Sequence, residues 1–86
     1  MLPWTDYSDA SYVDLYDPTG TYITYYLACK YVHGYPSHWS WLVYQRSYDW
    51  TGAATDEERY SGREGDRITA KREGERWFRE NVGEVA

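Results

Sequence analysis

Between Tyr16 and Thr21 the chain reads Asp17-Pro18-Thr19-Gly20. Proline presets φ for the second position of a type I turn, aspartate accepts hydrogen bonds at the first, and glycine takes the left-handed fourth. This is the chemistry of a hairpin closed by a type I turn and a G1 bulge. Both flanks agree with it. Val13 and Leu15 alternate with Tyr12, Asp14 and Tyr16 before the turn, and Ile23, Tyr25 and Leu27 alternate with Tyr22, Thr24 and Tyr26 after it. β-branched and aromatic residues dominate both arms, as strands prefer. A helix over 21–32 is the rival reading, because Tyr22, Ile23, Tyr26, Leu27 and Tyr31 also fall near one helical face and His33-Gly34 resembles a helix end.

Working outward, the loop His33-Gly34-Tyr35-Pro36-Ser37 leads to a third strand from about Trp39 to Tyr48. Asp49 to Ala54 reads as a linker. Thr55-Asp56-Glu57-Glu58 has the form of a capping box, with threonine at the N-cap and glutamate three residues on, so a helix is expected to start there. Gly62 and Gly65 should break it, and a second helix is expected from about Asp66 to Asn81. A hairpin over 66–80, joined through Glu73-Gly74, is the alternative. The expected fold class is therefore α+β: a three-stranded antiparallel meander with a carboxy-terminal helical segment packed on one face. Ile68, Ala70, Trp77 and Phe78 would meet the sheet, with Gly74 permitting close approach. The whole chain, 1–86, reads as one domain: an irregular arm (1–10), an aromatic-rich β region (11–50) and a charged helical region (55–82).

Eighty-six residues leave room for one small core. Isoleucine, leucine and valine number 11, fewer than the aromatics, of which there are five Trp, eleven Tyr and one Phe. Such scarcity of aliphatics with a net charge of −5 would suggest disorder, but each aromatic buries about 150–250 Å² and supplies the missing apolar surface. Collagen, coiled coil, disulfide scaffold and membrane protein are excluded. The lone Cys29 cannot form an internal disulfide, and residues 1–6 carry no basic and apolar leader, so a cytoplasmic location is expected. Residues 1–58 hold eight acids against Lys30 and Arg46, whereas residues 59–86 hold seven bases against six acids.

Four constellations carry chemistry. With Val13, Leu15, Ile23, Tyr25 and Leu27 facing inward, Tyr12, Tyr16, Tyr22 and Tyr26 share the outer sheet face, joined from the third strand by Trp39 and Trp41 or by Leu42 and Tyr44. Tyrosine and tryptophan dominate interface hot spots, and they also stack on nucleobases. Asp6, Asp9, Asp14 and Asp17 cluster beside these tyrosines, complementary to a groove lined by lysine and arginine. Arg59, Arg63, Arg67 and Lys71 recur at intervals of four, interleaved with acids, which favours a salt-bridged solvent face. Cys29, His33 and His38 have zinc-ligand types but lack a fourth partner, and as a nucleophile–base pair Cys29 and His33 lack an orienting third group.

No glycine-rich phosphate loop, HExxH or paired-cysteine site is present, and these residues resemble no family. The expectation is a protein that is not an enzyme and holds no cofactor or metal. It is a small acidic interaction module occluding the basic, nucleic-acid-binding surface of a larger protein or nucleoprotein complex, with no direct nucleic-acid or membrane partner. Tyr12, Asp14, Tyr16, Asp17, Tyr22 and Tyr26 are the candidate partner-binding residues. In size, charge and lack of catalytic machinery it is similar to phage-encoded inhibitors of host defence such as anti-CRISPR proteins, an analogy of class without a shared motif. A single-stranded nucleic-acid binder using Trp39, Trp41 and Tyr44 with Arg59, Arg63 and Arg67 is the alternative. Self-association through the open face or an edge strand, giving a homodimer, is also open.

Overall fold

In the computed structural model, which describes residues 1–83, the Asp17 carboxylate organises the first long hairpin. It accepts the Thr19 hydroxyl at 2.9 Å and the backbone N–H groups of Thr21 at 2.9 Å and Tyr22 at 3.3 Å. Gly20 takes φ +74° as the turn requires. The strands are β1 (Thr5–Asp6), β2 (Ala10–Tyr16), β3 (Ile23–Val32), β4 (His38–Tyr48) and β5 (Ala54–Glu64), followed by the helix α1 (Arg67–Asn81). They form one antiparallel meander in the order β1-β2-β3-β4-β5.

The α+β class stands, but the sheet has five strands, not three. The larger correction concerns 54–64, expected as a helix start and found as β5. Its cause lies just upstream. Asp49-Trp50-Thr51-Gly52 has the same Asp-x-Thr-Gly composition as the first turn and shares its glycine N–H to aspartate carbonyl bond, in a loop one residue shorter. The Asp49 carboxylate accepts from the Thr51 N–H at 2.8 Å, the Thr51 hydroxyl at 2.5 Å and the Ala53 N–H at 3.0 Å, and Gly52 takes φ +86°. The turn sends the chain back along β4, where pairing from Tyr48↔Ala54 to Trp39↔Glu64 overrides the local helical signal. The acids read as a capping box are edge-strand side chains. Asp56 receives Arg46 at 2.7 and 3.1 Å through Nε and Nη2.

The true helix cap is Asp66, whose carboxylate accepts the Thr69 N–H at 2.8 Å and the Thr69 hydroxyl at 2.9 Å. At the other end the Val82 and Gly83 N–H groups both bond the Phe78 carbonyl, with Gly83 at φ +104°. The helix lies over β3, β4 and β5, and its Ala70 and Phe78 join Val13 and Leu15 of β2, Leu27 and Cys29 of β3, and Trp41 and Val43 of β4 in one core. Ile68, expected at the sheet, is 56% exposed. Ile23 also stays outside the core, because a bulge between Leu15 and Tyr16 shifts the register and pairs it with Tyr16.

The residues that α1 itself buries are Ala70, Lys71, Gly74, Glu75 and Phe78. Two charges in such a stripe need partners, and the amino-terminal arm supplies them. Glu75 accepts the Leu2 N–H at 2.6 Å and the Trp4 indole N–H at 3.0 Å. Lys71 meets Asp6 at 2.6 Å, and the same Asp6 oxygen accepts the buried Ser11 hydroxyl at 2.7 Å. Lys71, then Ser11, hold the Asp6 carboxyl below its ordinary range. Arg67 donates to the carbonyls of Tyr7 at 2.8 Å and Ser8 at 2.6 Å, with its guanidinium over the Trp39 ring at 4.4 Å. One residue per turn of α1, at 67, 71 and 75, thus ties down the expected irregular arm.

Candidate functional site

The register sorts the strand residues into two faces. Toward α1 run the rows Ser11–Cys29–Trp41–Gly62 and Val13–Leu27–Val43–Tyr60. On the other face run Ala10–Lys30–Ser40–Arg63, Tyr12–Ala28–Leu42–Ser61 and Asp14–Tyr26–Tyr44–Glu58. No element among the described residues covers this second face. Its centre is the Tyr26–Tyr44 pair, stacked at 4.6 Å and 13°. Arg46 lies over Tyr26 at 5.4 Å while holding Asp56. Burial, and after it the Asp56 carboxylate, push the Tyr26 hydroxyl pKa up. The uncovered face is therefore a tyrosine stack locked by an ion pair, with an acid at each end of its row.

The face is polar along its length. Lys30 and Arg63 stand at the end near the β3–β4 loop, whereas Asp14, Asp56 and Glu58 stand toward the end that holds both Asp-x-Thr-Gly turns. At that turn end Tyr22 packs on Tyr48 at 5.4 Å, and Trp50, at the second position of its turn, is 95% exposed. A large aromatic held fully in water by a turn with four internal hydrogen bonds from its aspartate and threonine cannot be assigned to the core. Asp17, Asp49 and Glu57 add to the acidity of this end; its bases, Arg46 and Arg59, bond Asp56 and the Gln45 side chain respectively.

Of the six residues marked for partner binding, Tyr12, Asp14, Tyr16 and Tyr26 lie on β2 and β3, with Asp14 opposite Tyr26 and Tyr12 opposite Ala28. Tyr22 is exposed at the turn end against Tyr48. Asp17 is occupied as the organiser of its turn. From β4 it is Leu42 and Tyr44 that join the uncovered face; Trp39 and Trp41 lie on the helix side. Trp50 and Tyr48 lie outside that expected set. The available signal was the second Asp-x-Thr-Gly, which identifies Trp50 as a turn tip and not as part of a linker.

Of the residues of the nucleic-acid alternative, Trp39 and Arg67 come together, with the guanidinium 4.4 Å from the ring centroid, and the others are dispersed. Trp41 is buried under α1, Tyr44 faces the other way, Arg67 is bonded to the arm, and Arg59 to Gln45. Nor do Cys29, His33 and His38 converge. Cys29 is wholly buried on the helix side, His33 is an exposed loop residue set edge-on to Tyr31 at 4.7 Å, and His38 pairs with Val32 at the far end of β4. Burial pushes the Cys29 thiol up to about 12. Native protein is accordingly expected to resist iodoacetamide at pH 8, where the thiolate fraction is of order one in ten thousand, and to react once denatured. The raised value also makes stability fall as pH climbs from about 9 toward 12, because only the unfolded thiol ionises in that window. Rapid alkylation of folded protein, read by mass, would contradict both statements.

No protein-family model matches the chain, no curated protein matches it, and no solved structure matches it. Among the described residues, no helix is long and apolar enough to cross a membrane.

Proposed function

We propose that this protein is an interaction module that docks its uncovered aromatic face, turn end foremost, onto a basic surface of a larger protein. The target surface is one that ordinarily binds nucleic acid, so the module acts as an occluding inhibitor in the cytoplasm. The observation that carries this reading is the turn end itself. Two Asp-x-Thr-Gly turns stand at one end of the sheet and hold Tyr22, Tyr48 and Trp50 exposed among acids, with Arg46 paired to Asp56 and Arg59 bonded to the Gln45 side chain. Exposed tyrosine and tryptophan on a rigid frame lose little conformational freedom on docking, and surrounding carboxylates steer the encounter toward lysine and arginine. The reading is one of binding, without a reaction.

The test is capture of partners on the tagged protein from nuclease-treated lysate, followed by competition with a labelled oligonucleotide for the purified partner. The expected result is stoichiometric loss of oligonucleotide binding as the module is added, weakening as salt rises. Direct oligonucleotide binding by the module itself, or a ternary complex in which the partner keeps its nucleic acid, would overturn the proposal.

A further inference from the structure

The two edges of the sheet differ in kind. The β5 edge carries Asp56, Glu57, Glu58, Arg59, Arg63 and Glu64, and a bulge interrupts its register with β4 between Val43 and Tyr44. Charge and bulging are the devices that blunt an edge against further pairing. The opposite edge is treated otherwise. β1 pairs only through Thr5↔Tyr12 and Asp6↔Ser11; on the amino-terminal side of Thr5 the chain lies off the sheet, where the Leu2 N–H and the Trp4 indole reach Glu75. The Tyr7 N–H donates to the Ala10 carbonyl at 2.7 Å, while the Tyr31 N–H donates to the Asp9 carbonyl at 2.8 Å. Alternation along β2 then turns the peptide groups of Ala10 and Tyr12 toward β1, those of Val13 and Leu15 toward β3, and those of Asp14 and Tyr16 outward. Beyond Tyr12 no strand among the described residues meets them. A groove of about 390 Å³ runs there, with Pro3, Thr5, Tyr7, Tyr12, Val13, Asp14 and Tyr16 as its walls.

We infer that this half-vacant edge accepts an extended basic segment of the partner as an added antiparallel strand, continuing the line of β1 along Asp14 and Tyr16. The inference deepens the proposed function and rests on its basic partner. Charge selects the occupant. Residues 1–29 contain Asp6, Asp9, Asp14 and Asp17 and no lysine or arginine; the cations that reach this part of the molecule are Lys71 and Arg67, engaged with Asp6 and the arm carbonyls, and Lys30, at 6.0 Å from the Tyr12 ring. A second copy is the poorer occupant, since two β2 edges paired antiparallel bring Asp14 against Asp14 or its neighbours. In the added strand, residues opposite Asp14 and Tyr16 share their face. Arginines there meet the Asp14 carboxylate and the Tyr12 and Tyr16 rings, while the alternate residues, beside Val13 and Pro3, are apolar.

The pairing fixes which amides matter. Residues opposite Asp14 and Tyr16 exchange both hydrogen bonds with them, so the arginine N–H groups point at β2 and the intervening ones at solvent. The probe is a short acetylated and amidated peptide alternating arginine and valine, titrated into the wild-type protein. N-methylation of the arginine amides is expected to weaken binding by about tenfold for each blocked bond, and N-methylation of the valine amides to leave it unchanged. Hydrogen exchange at the Asp14 and Tyr16 amides should slow on addition, with Val13 and Leu15 unaffected. Equal binding by both methylated peptides with unchanged exchange would overturn strand addition and leave side-chain docking on the aromatic face standing. Failure of the unmodified peptide to bind would overturn it too, as would slow exchange at Asp14 in a peptide-free dimer. Success here with failure of the oligonucleotide competition would instead sink the occluding function alone.

Discussion

Replacing Gly62 with alanine is expected to destabilise the protein by about 2–3 kcal/mol, lowering the melting temperature by roughly 10–20 °C for a domain of this size. Gly62 lies on β5 directly opposite Trp41. A Cβ built there would stand 2.5 Å from Cε2 and Nε1 of the indole and 2.6 Å from Cζ2. To make room, the ring would have to shift toward α1 and give up its seat against β5. On its other side it meets Gly74 of α1, where a built Cβ would lie 3.7 Å from Cε3 and 3.8 Å from the Trp41 Cβ. The indole N–H is buried without a partner among the described residues, so packing alone positions the ring.

The two glycines that flank the ring therefore predict opposite outcomes. At Gly74 a methyl group fits in ordinary contact and removes a glycine from a helix interior, so Gly74→Ala should stabilise by about 0.5–1 kcal/mol. Gly65→Ala, with nothing within 4 Å of its new Cβ, should change little. Urea unfolding of the three variants, followed by tryptophan fluorescence, separates these cases. If Gly62→Ala matched wild type, Trp41 would not be seated between β5 and α1.

The glycines also show what the sequence could and could not convey. Gly74 was legible as a point of close approach because it interrupts a helical segment beside Trp77 and Phe78. Gly62 read only as a helix breaker, since its partner Trp41 lies far away in sequence and is brought opposite by a turn that was not recognised. The first hairpin was legible because proline, aspartate and glycine reinforce one another in Asp17-Pro18-Thr19-Gly20. In Asp49-Trp50-Thr51-Gly52 a tryptophan replaces the proline, and the acids that follow form a persuasive local helix signal. Long-range pairing with β4 decided against it. The helix face was obscured for a different reason. Its buried stripe includes Lys71 and Glu75, whose partners Asp6, Leu2 and Trp4 are supplied from the other end of the chain. On the site, strand alternation was enough to bring Tyr12, Tyr16 and Tyr26 together. It could not reveal that the turns align Tyr22, Tyr48 and Trp50, because that depends on the register of four strands.

Trp50→Ala is expected to reduce affinity for the partner by about 30- to 100-fold, the effect of removing a central aromatic anchor, while leaving folding stability within about 0.5 kcal/mol. The two readouts diverge because the side chain is 95% exposed and contributes nothing to the core. Its position is set by backbone and Asp49 hydrogen bonds that alanine preserves, so the turn itself survives the substitution. Tyr26→Ala should behave differently, weakening binding and also stability, since it breaks the stack with Tyr44 and removes the ring beneath Arg46. Glu58→Lys, exposed at the end of the same row, should act mainly on the association rate and flatten its dependence on salt. Measured together by surface plasmon resonance at two ionic strengths and by urea unfolding, these variants separate anchor, platform and steering charge. An unaltered dissociation rate in Trp50→Ala would move the contact off the turn end, leaving the stacked tyrosines and the β2 edge to carry it. A large loss of stability in that same variant would show instead that Trp50 is held by contacts its exposure denies.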